Sequence, residues 1–358
     1  MNVRVFGESH APEIGVEIGG VEKGVEIDVA ELQRFLDRRA PGNGQGGMST
    51  PRKEPDRPVF ESGVVVSERS DRIVASPLVT TGETIRAVIR NTNVRPQDYG
   101  NVITVPRPGH ADYSSWIKYG KISTGGGKWS GRMTAPLCIA GGIALQMLAR
   151  KGVEVHARVV AVGGREIALN GQDARSPMNA GGKDSALEGV CPADDSVGAV
   201  VEVVATGVPQ GLGDVGTDGL ESKLSAAFFG IPAVKGVEFG DGFKLAAMRG
   251  SEANDAFVLA SADARLSSSV SRPPASVTLR TNHCGGILGG ISVGTPIVAR
   301  LAFKPTPSIS REQDSVDLET LKPVKLAIKG RHDRCVAFRA VPVVEAAMAI
   351  VLANELKG

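Results

Sequence analysis

The order of apolar and polar positions divides the chain into helical and extended stretches. "DVAELQRFLDRR" places Leu32, Phe35 and Leu36 on one helical face. Asp28 and Glu31 have the spacing of a capping box, and Arg38 and Arg39 fall in the last turn before Pro41-Gly42 stops it. "TAPLCIAGGIALQMLARKG" is apolar almost all round and predicts a long buried helix ending at Gly152. "DGLESKLSAAFFG" repeats the capping spacing at Asp218 and Glu221 and stops at Gly230. "PVVEAAMAIVLANEL" predicts a helix with Pro342 at its first position.

"VRVF", "ESGVVV", "TIRAVIR", "VHARVVAVGG", "GAVVEVVATG", "AVKGVEF" and "TPIVARLAF" are short, rich in Val and Ile, and often alternating, which predicts strands. They do not alternate regularly with the helices. A doubly wound parallel sheet is therefore disfavoured, and antiparallel sheets covering central helices fit better. Three segments have little periodicity: "APGNGQGGMSTPRKEPDR", "NGQDARSPMNAGGKDSALEG" and "SSSVSRPPAS". Basic residues bracket the first, and the other two read as surface excursions.

Composition narrows the function classes. Lys and Arg total 41 and Asp and Glu 39 in 358 residues, a formal net charge of +2. That balance gives no global reason to expect nucleic acid or an anionic membrane as partner, so anion chemistry must come from local clusters. Cys138, Cys191, Cys284 and Cys335 are scattered without zinc or disulfide spacing, so no metal is expected. No signal peptide is expected from "MNVRVFGESH", and no stretch is read as approaching the ~18 apolar residues of a membrane span. The expected compartment is a reducing cytoplasm.

Two glycine-rich matches mislead. "GNGQGG" (Gly42 to Gly47) has GxGxxG lettering but follows a helix, where the dinucleotide motif needs a strand before it. "GGGK" (Gly125 to Lys128) lacks the earlier glycine of a phosphate-binding P-loop and continues into Trp129. Its junction with a helix start still offers outward N–H groups to an anion, with Lys128, Ser130 and Arg132 adding donors.

His10 in "GESH", His110 in "RPGHAD" and His332 in "GRHD" lie in polar turns beside charges, and the first two suit proton transfer near neutral pH. His156 reads as a strand residue, and His283 is ambiguous. Arginines recur at turns: Arg38 and Arg39, Arg52 beside Lys53, Arg107, Arg132, then Arg331, Arg334 and Arg339 around Asp333. Each taken singly reads as a solvated charge. Together they suggest a substrate with several negative groups held by guanidinium forks.

These patches, taken in order, resemble the chorismate synthase family over nearly the whole chain. The likeness runs through "FGESH", "LDRRAPG", "PRKEPD", "RPGHADYSSWIKYG", "GVPQGLGD", "IPAVKGVEFGDGF", "NHCGGILGGISVGTPI", "KPTPSI" and "GRHDRCVAFRAVPVVEAAMAIVLAN". It implies an α+β fold, a single large domain over residues 1–358 with helices sandwiched between antiparallel β-sheets, assembled as a homotetramer. It also implies an overall anti 1,4-elimination of phosphate from 5-enolpyruvylshikimate-3-phosphate. The product is chorismate, the last common precursor of the aromatic amino acids. Reduced FMN is the implied cofactor, with NADPH or an external reductant restoring it.

Residue by residue, the resemblance makes His10 the proton donor to the departing phosphate and His110 the support of the reduced flavin. It makes Asp333 the acceptor of the ring proton. Arg39, Arg107, Arg132 and Arg339 match substrate-pocket positions. Lys128, Trp129, Ser130, Pro232, Ala233, Gly289, Lys304, Pro305, Thr306, Pro307, Ser308 and Arg331 match flavin positions. The chain departs from the family in reading "KWSGR" where Arg-Ser-Ser followed by Ala-Arg is usual. It also has a longer glycine-rich loop after Pro41, with Gln45 near a missing arginine, and Arg334 where proline is usual. A flavin- or phosphate-binding protein of the same fold without catalysis is the competing expectation. The presence of His10, His110 and Asp333 favours activity.

Overall fold

The computed structural model describes residues 1–41, 48–50, 55–66, 77–91, 103–167, 189–259, 277–328 and 332–356. Two antiparallel sheets enclose a layer of helices. In spatial order the four-stranded sheet is Asn2–Gly7, Glu13–Gly19, Ile85–Arg90 and Val59–Ser62. The five-stranded sheet is Val234–Phe239, Ile297–Phe303, Ala199–Thr206, Glu154–Val162 and Arg165–Glu166. Strand alternation turns Ile14, Val16 and Ile18 inward from the first, and Val201, Val203, Ala205, Ile297, Ala299 and Leu301 inward from the second. The α+β sandwich expected from the sequence is the observed fold.

The helices are α1 (Val29–Arg39), α2 (Asp112–Tyr119), α3 (Thr134–Ala149), α4 (Leu220–Phe229), the single turn α5 (Gly250–Ala253) and α6 (Ala337–Glu355). Asp28 caps α1, accepting a hydrogen bond from the Glu31 N–H at 2.9 Å, but the capping box does not close, because the Asp28 N–H donates to Gln146 Oε1 at 2.9 Å. α3 packs on the four-stranded sheet, α6 packs on the five-stranded sheet, and the two helices pack on each other. A Cβ on Gly141 of α3 would overlap Ala346 of α6, and one on Gly142 would meet Leu32 of α1 at 2.5 Å. Mid-helix glycine costs about 0.5–1 kcal/mol relative to alanine. Here it gives that up for close helix contact.

Two boundaries and one reading of apolarity differ from expectation. α6 starts at Ala337, so Pro342 sits inside the helix. Buried Ala337, Ala340, Val343, Val344 and Ala347 continue one apolar face across the proline, so packing outweighs the donor that Pro342 lacks. α4 is capped by Gly219, without a side-chain cap bond, and Asp218 lies in the 3-10 turn before it. A Cβ on Gly219 would meet the Asp214 carbonyl at 2.9 Å and the Gly290 Cα at 3.0 Å, so crowding sets that cap. The stretches Gly131–Ala149 and Ala337–Glu355 are each long and apolar enough to cross a membrane, contrary to the sequence reading. They are 72% and 67% buried inside the protein, and a helix buried all round is apolar all round.

Glu345 of α6, 1% exposed, pins three elements. Arg38 of α1 donates to both of its oxygens, at 2.7 and 2.8 Å, and the Ala157 N–H in the five-stranded sheet donates at 2.8 Å. We expect Gly141→Ala to lower stability by about 1–3 kcal/mol through overpacking, despite alanine's better helix propensity. Gly250→Ala, with open space at its Cβ, should change it by less than about 0.5 kcal/mol. Urea unfolding midpoints decide, and a Gly141→Ala protein at least as stable as the parent would refute this account of the helix contact.

Candidate active site

A cleft of about 650 Å³ opens at one end of the helix layer, within the range of small-molecule sites. Its walls come from segments far apart in sequence. They include the turn after the first strand, the end of α1, the start of α2, the 3-10 turns leading into α3, the approach to strand Val234–Phe239, the segment after strand Ile297–Phe303, and the start of α6. Arg39, Arg107, Arg132, Arg339, Lys128, Lys235 and Lys304 line it, against a single carboxylate among the described lining residues, Asp333.

Each cleft arginine is paired with an acid. Asp56, fully buried, accepts from Nη1 of both Arg39 and Arg132. Arg39 also donates from Nε to Thr134 Oγ1 at 3.1 Å, and Arg132 from Nε to Asn91 Oδ1 at 3.2 Å. Burial alone would raise the Asp56 carboxyl, but the two guanidiniums outweigh it and hold it below the ordinary carboxylate range. Arg107 donates from Nε and Nη2 to Asp112 at 2.7 and 2.8 Å and from Nη1 to Ser308 at 3.1 Å. Arg339 Nη1 donates to Asp333 Oδ2 at 2.9 Å, while the Thr50 N–H holds Oδ1 at 2.8 Å.

Glycine shapes the wall between the histidines. Gly125, Gly126 and Gly127 have φ of 62°, 87° and 52°, values that L side chains rarely adopt. A Cβ on Gly125 would overlap the His10 ring, and one on Gly126 would lie 3.2 Å from His110 Nε2. His10 Nδ1 pairs with Ser9 Oγ at 3.0 Å, and that hydroxyl also lies 3.2 Å from the Gly125 carbonyl. His110 Nδ1 lies 2.6 Å from Asp112 Oδ1. Burial lowers the His110 pKa and Arg107 adds to this, against the pull of Asp112, which leaves a neutral ring near pH 7.

At the rim, exposed Lys128 sits over Tyr119, 3.8 Å from the ring centroid, and 5.0 Å from that of Trp129. The "KW" departure thus builds a cation held by two aromatics. Elsewhere on the wall Ala233 has φ 74°, and its carbonyl accepts from the Lys304 N–H at 2.9 Å. An alanine in that region is strained by about 1–2 kcal/mol. Thr306 Oγ1 is buried without a hydrogen-bond partner among the described residues. The Cys335 thiol, pushed up to about 11 by burial, stays protonated.

The cleft brings together His10, His110, Asp333, the four arginines, Lys128, Trp129, Ser130, Pro232, Ala233, Lys304, Thr306, Pro307 and Ser308. Pro305 and Gly289 are not on its wall. Gly289 occupies the turn between strands Ile287–Leu288 and Ile291–Ser292. Arg331, the loop Gly42 to Gly47 with Gln45, and Arg52 and Lys53 lie outside the described residues. Arg334 turns away and donates to the Cys191 carbonyl. Asp56 and Asp112 were not singled out from sequence. Their signal was a carboxylate within each of two basic stretches, "PRKEPD" and "RPGHAD".

Fold and site together define an α+β enzyme scaffold with a cationic cleft for a polyanionic small molecule. The chorismate synthase family model matches residues 1–356, and the chain belongs to that family. It is 41% identical to the chorismate synthase of Lancefieldella parvula, over 99% of this chain and 94% of that one. It is 43% identical to that of Rhodospirillum rubrum, over 98% and 93%, and 40% identical to that of Thermococcus kodakarensis, over 99% and 96%. A crystal structure of a chorismate synthase shares the fold with TM-score 0.66 and 24% identity, over 99% of this chain and 91% of that one.

Asp56→Asn should cost about 3–5 kcal/mol at pH 7, because two buried guanidiniums lose their counter-ion. A carboxyl with a depressed folded pKa contributes fully above its unfolded value near 4, and that contribution is lost as pH falls through the folded value. The gap between parent and variant should therefore narrow on acidification. Denaturation midpoints at several pH values test this, and a gap that widens toward acid contradicts it.

Proposed function

We propose that this chain carries out the reaction of its family, eliminating phosphate from 5-enolpyruvylshikimate-3-phosphate to give chorismate. The observation that carries this reading is one cleft whose described lining residues include three histidines, His10, His110 and His332, and one carboxylate among seven cations. The substrate bears two carboxylates and a phosphate, and the cations offset that charge. In the elimination the C–O bond to phosphate breaks, a ring C–H hydrogen leaves as a proton, and a new C=C bond forms.

Reduced FMN is the proposed cofactor, and several features fit it. The glycine cradle at Gly125 to Gly127 has no room for side chains. Thr306 offers a buried unpartnered hydroxyl, and Lys128 and Lys304 stand on the walls for a phosphate. When bound, reduced FMN supplies transient electron density that weakens the bond to the leaving phosphate. The remaining tasks fall to the protein. Arg39, Arg132 and Arg339 bind and orient the anion. His10, with Nδ1 engaged by Ser9, gives the departing phosphate a proton from Nε2. Asp333, fixed by Thr50 and Arg339, keeps a second lone pair on each oxygen to take the ring proton.

The homotetramer, the cytoplasmic location, one catalytic domain over residues 1–358 and the absence of nucleic-acid or membrane partners belong to the same proposal. They are supported by the family resemblance and the near-neutral charge.

Anaerobic protein with reduced FMN should convert the substrate to chorismate. His110→Ala and Asp333→Asn should each lower turnover by about 10²–10⁴-fold with circular dichroism unchanged. Flavin binding without chorismate would replace this reading with a non-catalytic binding protein, and near-parental turnover in either variant would remove that residue from the mechanism. NADPH and FMN added aerobically without a reductase show whether the chain reduces its own flavin.

A further inference from the structure

Asp112 does more than neutralise an arginine. It is 2% exposed, accepts three hydrogen bonds, from Arg107 N at 3.0 Å, Arg107 Nε at 2.7 Å and Arg107 Nη2 at 2.8 Å, and lies 2.6 Å from His110 Nδ1. Asp112 is also the first residue of α2. The backbone turn closed by the His110 N–H on the Arg107 carbonyl, at 3.1 Å, brings all three side chains to one point.

Two groups compete for His110 Nδ1. Arg107 Nη2 lies 3.1 Å from it and can only donate; Asp112 Oδ1 lies 2.6 Å from it and, ionised, can only accept. Nδ1 cannot serve both. A bare Nδ1 would set its lone pair against the ionised Oδ1 at 2.6 Å, whereas Arg107 Nη2 keeps Oδ1 as acceptor at 2.8 Å in either case, so Nδ1 carries hydrogen and the carboxylate takes it. The opposite edge of the ring, with Nε2, faces Gly126 and the cleft.

We propose that Asp112, with Arg107 as its counter-ion, is a positioning residue that holds His110 as the Nδ1–H tautomer and leaves Nε2 as the cleft-facing proton acceptor. A neutral imidazole so oriented receives an N–H or O–H donor from a bound ligand and does not itself attract an anion. The proposal also assigns Arg107 a role distinct from its sisters. Its guanidinium is directed at Asp112 and Ser308, so it orients the acid that orients the histidine. The charged groups facing His110 are Arg107, Asp112 and Lys304. Burial and the two cations favour the neutral ring, and Asp112 alone among them favours the imidazolium.

The inference depends on the proposed lyase reading only for what the acceptor serves, because the tautomer is a property of the ligand-free protein. The test is long-range proton–nitrogen correlation NMR of the full-length chain with labelled histidine, His110 being assigned by its loss in His110→Gln. At pH 7.5 the parent should show Nδ1 protonated and Nε2 bare. In Asp112→Asn the amide can donate to Nδ1, so the Nε2–H form should appear. The His110 titration midpoint should also fall, since burial, Arg107 and Lys304 remain while the carboxylate is gone. Asp112→Glu should restore the Nδ1–H form.

A parent His110 found as Nε2–H overturns the proposal whatever the variants do. So does an Asp112→Asn protein with unchanged tautomer and midpoint. In the lyase assay Asp112→Asn should lower kcat by about 10²–10⁴-fold with substrate KM within about threefold. A parent with the stated tautomer but no chorismate production would uphold this inference and defeat the functional reading.

Discussion

A guanidinium taken out of water needs an anion beside it, and the cleft is organised by that requirement. Arg39 is 1% exposed and Arg107 5%. An unpaired guanidinium at either depth would carry a large desolvation cost. Asp56 serves two arginines, Asp112 serves one arginine and one histidine, and Asp333 serves one arginine while its other oxygen takes a backbone N–H. The ion pairs fix where each fork points before any ligand arrives. Much of the orienting cost of binding an anion is thereby met during folding.

The same arrangement divides the cations by freedom. Arg39, Arg107 and Arg132 are buried and Arg339 half-buried, all held by acids, whereas Lys128 stands exposed at the rim against Tyr119 and Trp129. Rigid forks suit a ligand whose anionic groups must be placed relative to a proton donor and acceptor. Compact ammonium groups on flexible stems suit a phosphate tail that needs charge more than angle. Within "KWSGR", Lys128 falls in the second class and Arg132, bound to Asp56, in the first.

Much of this was legible in the chain. The capping pair Asp28 and Glu31, the apolar run of α3 and the alternating strands announced the sandwich, and the basic turns announced an anion site. What escaped had physical reasons. α2 has no apolar stripe, and Tyr113, Ile117 and Tyr119 on it are exposed, so periodicity had nothing to detect. Pro342 looked like a helix start because the apolar face preceding it is interrupted by Arg339, which lines the cleft and donates to Asp333. Asp56 and Asp112 were visible as letters, but their partners are chosen by the fold: Asp56 is joined to Arg132 across 76 residues.

That separation has a consequence for how the protein comes into being. Thr50 meets Asp333 across 283 residues, Arg107 meets Ser308 across 201, and Ser9 meets Gly125 across 116. Contacts that close such long loops carry the largest chain-entropy cost and are slow to form. The cleft therefore exists only once nearly every segment has arrived. Affinity for an anionic ligand becomes a certificate of completed folding, lost on partial unraveling while much of the helix and sheet content is still in place.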